Sequence, residues 1–316
     1  MTTLSHVQAS VQPLAFTSID LTAAFLSGRK PTTLRAYESD LEDFAMFAGA
    51  GSSGEAVNGL IALHHGQANG VALAYRSHMT ERGLSSATVS RRLAALRSVV
   101  KLGRTLGLIN WTLEVESPKA EAYRDTRGPG DDGWKAMLET AKREASTGDA
   151  KGVRDLALIR LLHDLGMRRG EVVALDLADV DLERGTVEIV GKGRTQGELL
   201  TLPEGTARAL GEWIEIRGLE DGPLFTRLDR AAKEASRLTD TAVYQTVQAL
   251  GKRAGLNHAV RPHGLRHQAI TSALDATNGD IRSVQQFSRH SDPRTLLKYD
   301  DRRRDVAGAI ARMIAD

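Results

Sequence analysis

Six side chains in the second half of the chain have types that could together act on a phosphate ester. They are Arg168 in LGMRRGE, Lys192 in VGKG, His263 and Arg266 in HGLRH, His290 in RHSDP and Tyr299 in LLKYD. Guanidinium groups bind phosphate oxygens, a tyrosine hydroxyl can be a nucleophile, and lysine and histidine can transfer protons. The set favours chemistry on a phosphate if the fold brings its members together.

Several of these residues also fit a structural role when each is considered alone. Arg168 and Arg169 follow an apolar helix, and cations stabilise a helix C-terminus. Lys192 stands in a glycine-flanked turn, where lysine is commonly solvated. A tyrosine such as Tyr299 often packs its ring and exposes its hydroxyl.

His263 and His267 stand four residues apart on a predicted helix, a spacing at which two imidazoles can share a metal ion. The metalloprotease pattern has glutamate where this chain has Gly264, no third ligand is evident, and Arg266 would place a positive charge beside the cation. We therefore predict no metal site. The chain has no cysteine, which excludes disulfides and cysteine-ligated zinc.

The elements that must position these residues are predicted to be mainly helices. Helical spacing of apolar residues covers 32–48, 88–106, 134–144, 153–165, 207–216, 241–254, 263–275, 280–287 and 293–299. Two β-rich stretches, 186–190 and 198–202, predict a hairpin with Lys192 near its tip. Asp292 followed by Pro293 predicts the start of the helix that carries Tyr299.

The 316 residues suit two domains. We predict a helical domain at 15–110, a linker rich in proline, glycine and charge at 111–130, and a second domain at 131–316. The expected fold class is mainly α with a small antiparallel β-sheet. No long apolar run and no secretory signal is evident, so we expect a cytoplasmic protein that does not enter a membrane.

The most basic stretch of the first half surrounds a predicted core face of Val89, Leu93, Leu96 and Val100, and Glu81 is the acidic residue within it. Its cations are Arg76, Arg82, Arg91, Arg92, Arg97, Lys101 and Arg104. Such a stripe is either a solvated helix face or a footprint for the DNA backbone. The formal net charge of +2 does not distinguish the two.

The order and spacing of the six residues resemble those of the tyrosine recombinase and integrase family. LLHDLGMRRGEVVALDLADVD is similar to the segment with the family's first catalytic arginine, and RPHGLRHQAI is similar to the box with its histidine and second arginine. Residues 32–108 resemble the helical core-binding domain, and residues from 134 onward resemble the α+β catalytic domain.

The resemblance implies a site-specific recombinase that cleaves and rejoins DNA through a 3′-phosphotyrosyl bond to Tyr299. Arg168 and Arg266 would meet the negative charge that builds on the phosphate, without a metal. His263 would accept the proton of Tyr299, whose ordinary pKa of about 10 makes help necessary. No cofactor is expected, because the phosphotyrosyl bond conserves the energy of the cut strand.

The resemblance assigns the remaining residues as well. Lys192 would protonate the departing 5′ oxygen, and His290 would donate a hydrogen bond to the phosphate. Glu171 and His267 would support the site rather than act on the substrate. Arg289 departs from relatives that have glycine before the final histidine, and it either adds a phosphate contact or points to solvent.

The expected partners are double-stranded DNA with a specific site and a homotetramer, or a related recombinase, on that DNA. A predicted amphipathic helix at 305–314 either packs within its own chain or docks into a neighbouring protomer. Alternatives are a type IB topoisomerase, a hairpin-forming telomere resolvase, or a catalytically silent DNA-binding protein on the same fold. The complete set of six residues favours an active enzyme. We expect it to act on DNA at the nucleoid.

Overall fold

The computed structural model describes residues 20–118, 128–190, 197–228, 236–299 and 313–315. Over these ranges the chain is mainly helical with a small antiparallel sheet, so the predicted fold class is confirmed. The chain divides into two compact units, Met1–Arg124 and Asp125–Asp316. None of the described helices combines the length and the apolar character that crossing a bilayer requires.

The helices of the first unit enclose one apolar core. They are α1 (Leu21–Leu26), α2 (Pro31–Ala48), α3 (Ser53–Ala62), α4 (His65–Glu81) and α5 (Ser86–Thr105). The hydroxyl of Ser85 accepts a hydrogen bond from the backbone N–H of Thr88 and so caps the N-terminus of α5. The predicted core face of α5 is confirmed, because four residues at helical spacing are buried: Val89, Leu93, Leu96 and Val100.

Residues 111–118 follow α5 without regular structure and pack on the same core. Leu113 and Val115 are buried there, and Arg97 donates to the carbonyl of Val115 at 2.7 Å. The first part of the segment predicted as a linker therefore lies against the first unit. The domain bounds 15–110, 111–130 and 131–316 remain a prediction.

The second unit packs its helices around α7. Its helices are α6 (Gly130–Ala145), α7 (Ala150–Asp164), α8 (Arg169–Ala174), α9 (Glu204–Arg217), α10 (Asp240–Arg253), α11 (Pro262–Ala276) and α12 (Ile281–Ser288). α7 contacts α6, α9 and α11 and buries nearly every residue from Gly152 to Leu162. Its apolar residues lie on more than one side of the helix, and its two buried charges, Arg154 and Asp155, pair with each other at 2.8 Å, so the helix is stable when other elements surround it.

Three strands form the sheet in the order β1 (Val180–Asp181), β2 (Thr186–Val190) and β3 (Gly197–Thr201). Val187 and Ile189 face the core, whereas Glu188 and Val190 are exposed. This alternation is the period of a half-buried strand, and it confirms the predicted hairpin. β1 was not predicted, because a strand of two residues is too short to show alternation.

The described stretch 236–299 ends in a 3₁₀ helix, Pro293–Lys298, with Tyr299 as its C-cap. Asp292 accepts the N–H of Arg294 at 2.9 Å, so the predicted helix start is confirmed. The predicted α-helix at 293–299 is corrected to this tighter form. Of the predicted helix at 305–314, residues 305–312 lie outside the described residues.

Candidate active site

Arg168 lies at the start of α8, where Glu171 holds it in two ways. The backbone N–H of Arg168 donates to Oε2 of Glu171 at 2.8 Å, and its Nη1 donates to Oε1 at 2.6 Å. The carboxylate of Glu171 thus caps the N-terminus of α8 from the third helical position, which is one half of a capping box, and it also binds the guanidinium of Arg168. The Arg168 side chain remains 34% exposed, so it can still meet a ligand.

Glu171 is ionised at neutral pH. Burial raises the pKa of its carboxyl, but the hydrogen bonds from Arg168 and the charges of Arg289 and Arg168 outweigh burial and hold the pKa below its ordinary value. The carboxylate therefore carries a full negative charge among these cations. Its predicted role as a support for Arg168 remains a prediction.

Arg266 is buried in the first turns of α11 and joins two loops. Its guanidinium donates to the carbonyl of Gly166, before α8, and to the carbonyl of Ser288, at the end of α12. Burial, together with the charges of Arg168 and Arg289, lowers the pKa of Arg266 to about 10. Arg266 is still a cation at neutral pH.

His290 follows α12 with its ring held on one side. Its Nδ1 lies 2.9 Å from the hydroxyl of Ser288, and its carbonyl accepts from Gln285 at 3.0 Å. Burial and the charges of Arg266 and Arg168 lower the pKa of His290 to about 4. The ring is therefore neutral near pH 7 and can act as a hydrogen-bonding group.

Tyr299 is only 5% exposed and is surrounded by site residues. Its ring centroid lies 4.7 Å from that of His267 and 5.5 Å from that of His290. Burial raises the pKa of the Tyr299 hydroxyl, while the charge and hydrogen bond of Arg266 and the charge of Arg168 oppose this rise. The structure thus brings Tyr299 together with Arg266, His267 and His290.

His263 lies one turn before Arg266 on α11 and is exposed. Desolvation, together with the charges of Arg266 and Arg168, lowers the pKa of His263 below its ordinary value. The histidine rings that pack on Tyr299 are those of His267 and His290. The interaction of His263 with the site is electrostatic, with the charges of Arg266 and Arg168.

Lys192 lies outside the described residues, and the last paired residues before and after it are Val190 and Gly197. Its placement therefore stays a prediction. Over the described ranges, the acidic and histidine side chains form no group of three or more that could hold a metal ion.

Comparison with known proteins identifies the family. A profile of the phage integrase family matches residues 131–304, more than half of the chain. The chain belongs to the phage integrase family. It is thus a tyrosine recombinase, and the predicted function, DNA recombination by cleavage and rejoining, is confirmed.

Relatives of this tyrosine recombinase align over nearly the full chain. It is 38% identical over 292 residues to a tyrosine recombinase of Synechocystis, covering 91% of this chain and 92% of that protein. It is 30% identical over 283 residues to tyrosine recombinase XerC of Shigella flexneri, covering 85% of each. The fold is similar to that of lambda integrase, solved as a tetramer on a Holliday junction, with a TM-score of 0.65 and 16% identity over 90% of this chain and 76% of that one.

Arg289 of the recombinase is buried and hydrogen-bonded inside the protein, a role that the sequence analysis missed. Both expectations for this residue, a phosphate contact or a solvated side chain, are wrong, because the side chain is 4% exposed and turned into the protein. Its guanidinium donates to Glu171 at 3.1 Å and to three backbone carbonyls at 3.1 to 3.2 Å, those of Leu165, Gly166 and Phe287. Three of these four acceptors are more than a hundred residues away in the chain, so no local pattern reveals them.

Several basic residues at the end of α4 and on α5 are already paired with acidic residues of the recombinase itself. Asp40 and Asp43, both buried on α2, form ion pairs with three of them: Arg82 to Asp43 at 2.9 Å, Arg91 to Asp40 at 2.7 Å and Arg92 to Asp43 at 2.6 Å. Sequence reasoning considered Glu81 alone as a counter-charge. The positions of these aspartates next to the apolar Leu41 and Phe44, which are buried, were the signal that could have revealed this network.

The other predicted DNA-binding residues divide into two kinds. Arg76 and Arg97 donate to the carbonyls of Glu116 and Val115, so they tie the segment after α5 to the first unit. Lys101 and Arg104, near the end of α5, are exposed. These two therefore fit a contact with a DNA backbone better than the paired arginines do.

Proposed function

We propose that Tyr299 is the nucleophile of this recombinase and that Arg168 and Arg266 stabilise the phosphate that it attacks. The packing of Arg266, His267 and His290 around Tyr299 supports this proposal most directly. A hydroxyl beside cations and imidazole rings suits attack on an anion, because the cations attract the phosphate and favour the phenolate.

The reaction requires fixed positive charge around the phosphorus. As the Tyr299 oxygen bonds to phosphorus and the bond to the 5′ oxygen breaks, negative charge gathers on the non-bridging oxygens. Arg168 and Arg266 each offer planar donors that match two such oxygens. The product is a 3′-phosphotyrosyl bond that a second DNA end can reverse.

Two proton transfers complete the cleavage step. His263 accepts the proton of Tyr299, because its lowered pKa leaves a neutral ring at pH 7. Lys192 gives a proton to the leaving 5′ oxygen, and His290 donates a hydrogen bond to the phosphate. Since Tyr299 is 5% exposed, its hydroxyl must be uncovered before it meets DNA.

The proposed partners are double-stranded DNA with a specific site and three further copies of this chain, or copies of a related recombinase. Exchange between two duplexes requires four strand cuts, which suits four subunits. The solved tetramer of lambda integrase on a Holliday junction supports this assembly. Lys101 and Arg104 are the cations of α5 best placed to contact the DNA backbone, and the activity would take place at the nucleoid in the cytoplasm.

The test is covalent capture of DNA in cells. Wild type and Tyr299→Phe are expressed, the lysates are denatured, the protein is captured without a crosslinker, and the attached DNA is sequenced. We expect discrete sites with the wild type and none with Tyr299→Phe, which keeps the ring but lacks the hydroxyl. Equal recovery from both variants would remove Tyr299 from the nucleophile role.

Further outcomes separate the alternatives. Scattered sites would indicate a topoisomerase, and absence of DNA with both proteins would indicate a silent DNA-binding protein. Cleavage of a captured site by purified protein is expected to persist in EDTA. Complete loss on chelation would instead favour a metal site at His263 and His267.

A further inference from the structure

Arg289 occupies a backbone conformation that favours glycine. Its φ of 57° and ψ of 37° lie in the left-handed region, where a Cβ crowds the backbone. An arginine at this position is therefore disfavoured by its backbone, yet its guanidinium makes four hydrogen bonds inside the protein. The side chain must supply something that glycine cannot.

The contacts of Arg289 converge on the two arginines of the proposed site. The carbonyl of Gly166 accepts from both Arg289 and Arg266, so one peptide group joins these two cations. The carboxylate of Glu171 lies between Arg289, at 3.1 Å, and Arg168, at 2.6 Å. The backbone carbonyl of Arg289 also accepts from Arg168 at 3.2 Å.

The charge balance of this cluster depends on Arg289. A carboxylate between two guanidinium groups leaves one positive charge in excess, whereas Glu171 paired with Arg168 alone would be neutral. In such a neutral pair, Arg168 would stabilise an incoming phosphate less, because the carboxylate competes with the phosphate for the donors of Arg168. Removing the Arg289 guanidinium should therefore weaken the interaction of Arg168 with the phosphate, although Arg168 itself is unchanged.

We propose that Arg289 is a positioning residue for strand cleavage: by sharing the carboxylate of Glu171 and the carbonyl of Gly166, it keeps Arg168 aimed at the scissile phosphate. This role rests on the proposed function, in which Arg168 binds that phosphate. Arg289 itself does not contact the substrate.

The key variant is Arg289→Gly, which removes the guanidinium, keeps the backbone carbonyl that Arg168 uses, and suits the left-handed conformation. Purified full-length proteins are mixed in excess with a nicked duplex that carries a captured site, and the single-turnover rate of covalent adduct formation is measured beside the Kd for the same DNA. We expect the rate to fall by at least about tenfold, less than the 10²–10³ that loss of a direct transition-state donor costs. The Kd should stay within about twofold, since phosphate contacts elsewhere dominate affinity.

A second change separates positioning from simple support of the fold. In Arg289→Gly, replacing Glu171 with glutamine removes the charge that competes for Arg168, so the double variant should cleave faster than Arg289→Gly alone. A residue that only supports the fold predicts the opposite, because the second change removes another buried interaction. A double variant no faster than Arg289→Gly would overturn the proposal, as would a wild-type rate for Arg289→Gly.

Arg237 provides a matched control at the other end of α8. It donates to the carbonyls of Val173 and Leu175 and to the carboxylate of Asp176, the same kinds of acceptor that Arg289 uses. Arg237→Gly should lower the midpoint of urea unfolding without a selective loss of cleavage rate. An equal loss of rate in both variants would assign Arg289 to stability alone.

Two further measurements keep the proposal open to test. If Arg289→Gly does not fold, Arg289→Lys keeps one charge, and its partial loss of rate should likewise be relieved by Glu171→Gln. A crystal structure of either variant needs no DNA and should show Arg168 turned fully onto Glu171. A wild-type rate for Arg168→Ala would refute the proposed function itself, separately from any result on Arg289.

Discussion

At the scale of single residues, the site combines permanent cations with neutral imidazoles. Burial and neighbouring arginines lower the pKa of His263 and His290, whereas Arg266 stays protonated even with its pKa lowered to about 10. The arginine side chains thus supply the positive charge of the site, and the two histidines remain able to exchange protons or donate hydrogen bonds. This division suits a reaction in which a phenol must lose its proton beside an anion.

The pH dependence of cleavage follows from this division. Because the pKa of His263 lies below its ordinary value of 6.5, the ring is a neutral base at pH 7 and loses this ability as the pH falls through its pKa. We expect the single-turnover cleavage rate to be level near pH 7 and to decline on the acid side of about 6.5. In His263→Gln the rate should be lower throughout, with this acid limb absent.

His290→Asn serves as the control for that pH profile. Because the pKa of His290 is lowered to about 4, this ring is neutral above about pH 5, so its replacement should reduce the rate while leaving an acid limb between about pH 5 and 7 in place. An acid limb that disappears in His290→Asn and persists in His263→Gln would assign the base to His290 instead.

The residue types and their order predict a site of Arg168, Arg266, His290 and Tyr299, but they do not predict the partners of each side chain. Arg289 and the carbonyl of Leu165 are 124 positions apart, and Arg91 and Asp40 are 51 apart. Hydrogen bonds across such separations depend on how helices pack, which local periodicity does not record. For this reason the sequence left the direction of Arg289 open.

At the scale of elements, the turn between α7 and α8 joins the site to the core. Gly166 has a φ of +53°, and a Cβ there would lie 3.3 Å from the ring of Phe287. Its carbonyl accepts from Arg266 and Arg289, so the direction of this one peptide group affects both arginines. A side chain at this position should disturb stability and chemistry together.

Gly166→Ala is expected to lower the free energy of unfolding by roughly 1–3 kcal/mol, from the left-handed backbone and the contact with Phe287. Gly148→Ala is the matched control, because Gly148 has a φ of +76° with no atom within 4 Å of an added Cβ. Urea denaturation should show a smaller loss for Gly148→Ala, and only Gly166→Ala should slow cleavage. Equal losses of stability with unchanged cleavage in both variants would contradict this account of the turn.

The elements were predictable where their patterns are long. The apolar spacing of α5 and the alternation of β2 fixed their type, and the Asp292 cap marked the helix start before Tyr299. β1 and α8 are short, and the 3₁₀ form of Pro293–Lys298 depends on packing of Leu296 and Tyr299 against α11 and α12. Short elements take their form from tertiary contacts rather than from their own sequence.

At the scale of the whole molecule, each of the two units has a core of its own, and the first contains a buried ionic network. Asp43 accepts from the hydroxyl of Tyr75 at 2.7 Å and from Arg82, and it pairs with Arg92. Burial raises the pKa of Asp43, but the bonds from Arg82 and Tyr75 outweigh burial and keep the pKa below its ordinary value. The carboxylate is therefore ionised and holds two helices against α2.

Asp43→Ala should destabilise the first unit by about 1–3 kcal/mol, because it leaves the buried Tyr75 hydroxyl without its acceptor and leaves Arg92, 12% exposed, with only the more distant carboxylate of Asp40 at 3.6 Å. Scanning calorimetry is expected to show a separate transition at lower temperature, while the transition of the second unit stays in place. Tyr75→Phe, which removes one hydrogen bond to Asp43, should cost only about 1 kcal/mol. A single transition shifted as a whole would show that the two units unfold as one.

The same network predicts which cations respond to salt when DNA binds. A cation that meets a phosphate releases counterions, and each such contact contributes about 0.9 to the slope of log K against log salt. Lys101→Ala and Arg104→Ala should each reduce that slope by up to about this amount with the fold intact. Arg92, whose side chain is 12% exposed and paired with Asp43, should instead lower stability on replacement by alanine and leave the slope nearly unchanged. A slope that falls for Arg92→Ala but not for Lys101→Ala or Arg104→Ala would mean that the buried pair opens to meet DNA.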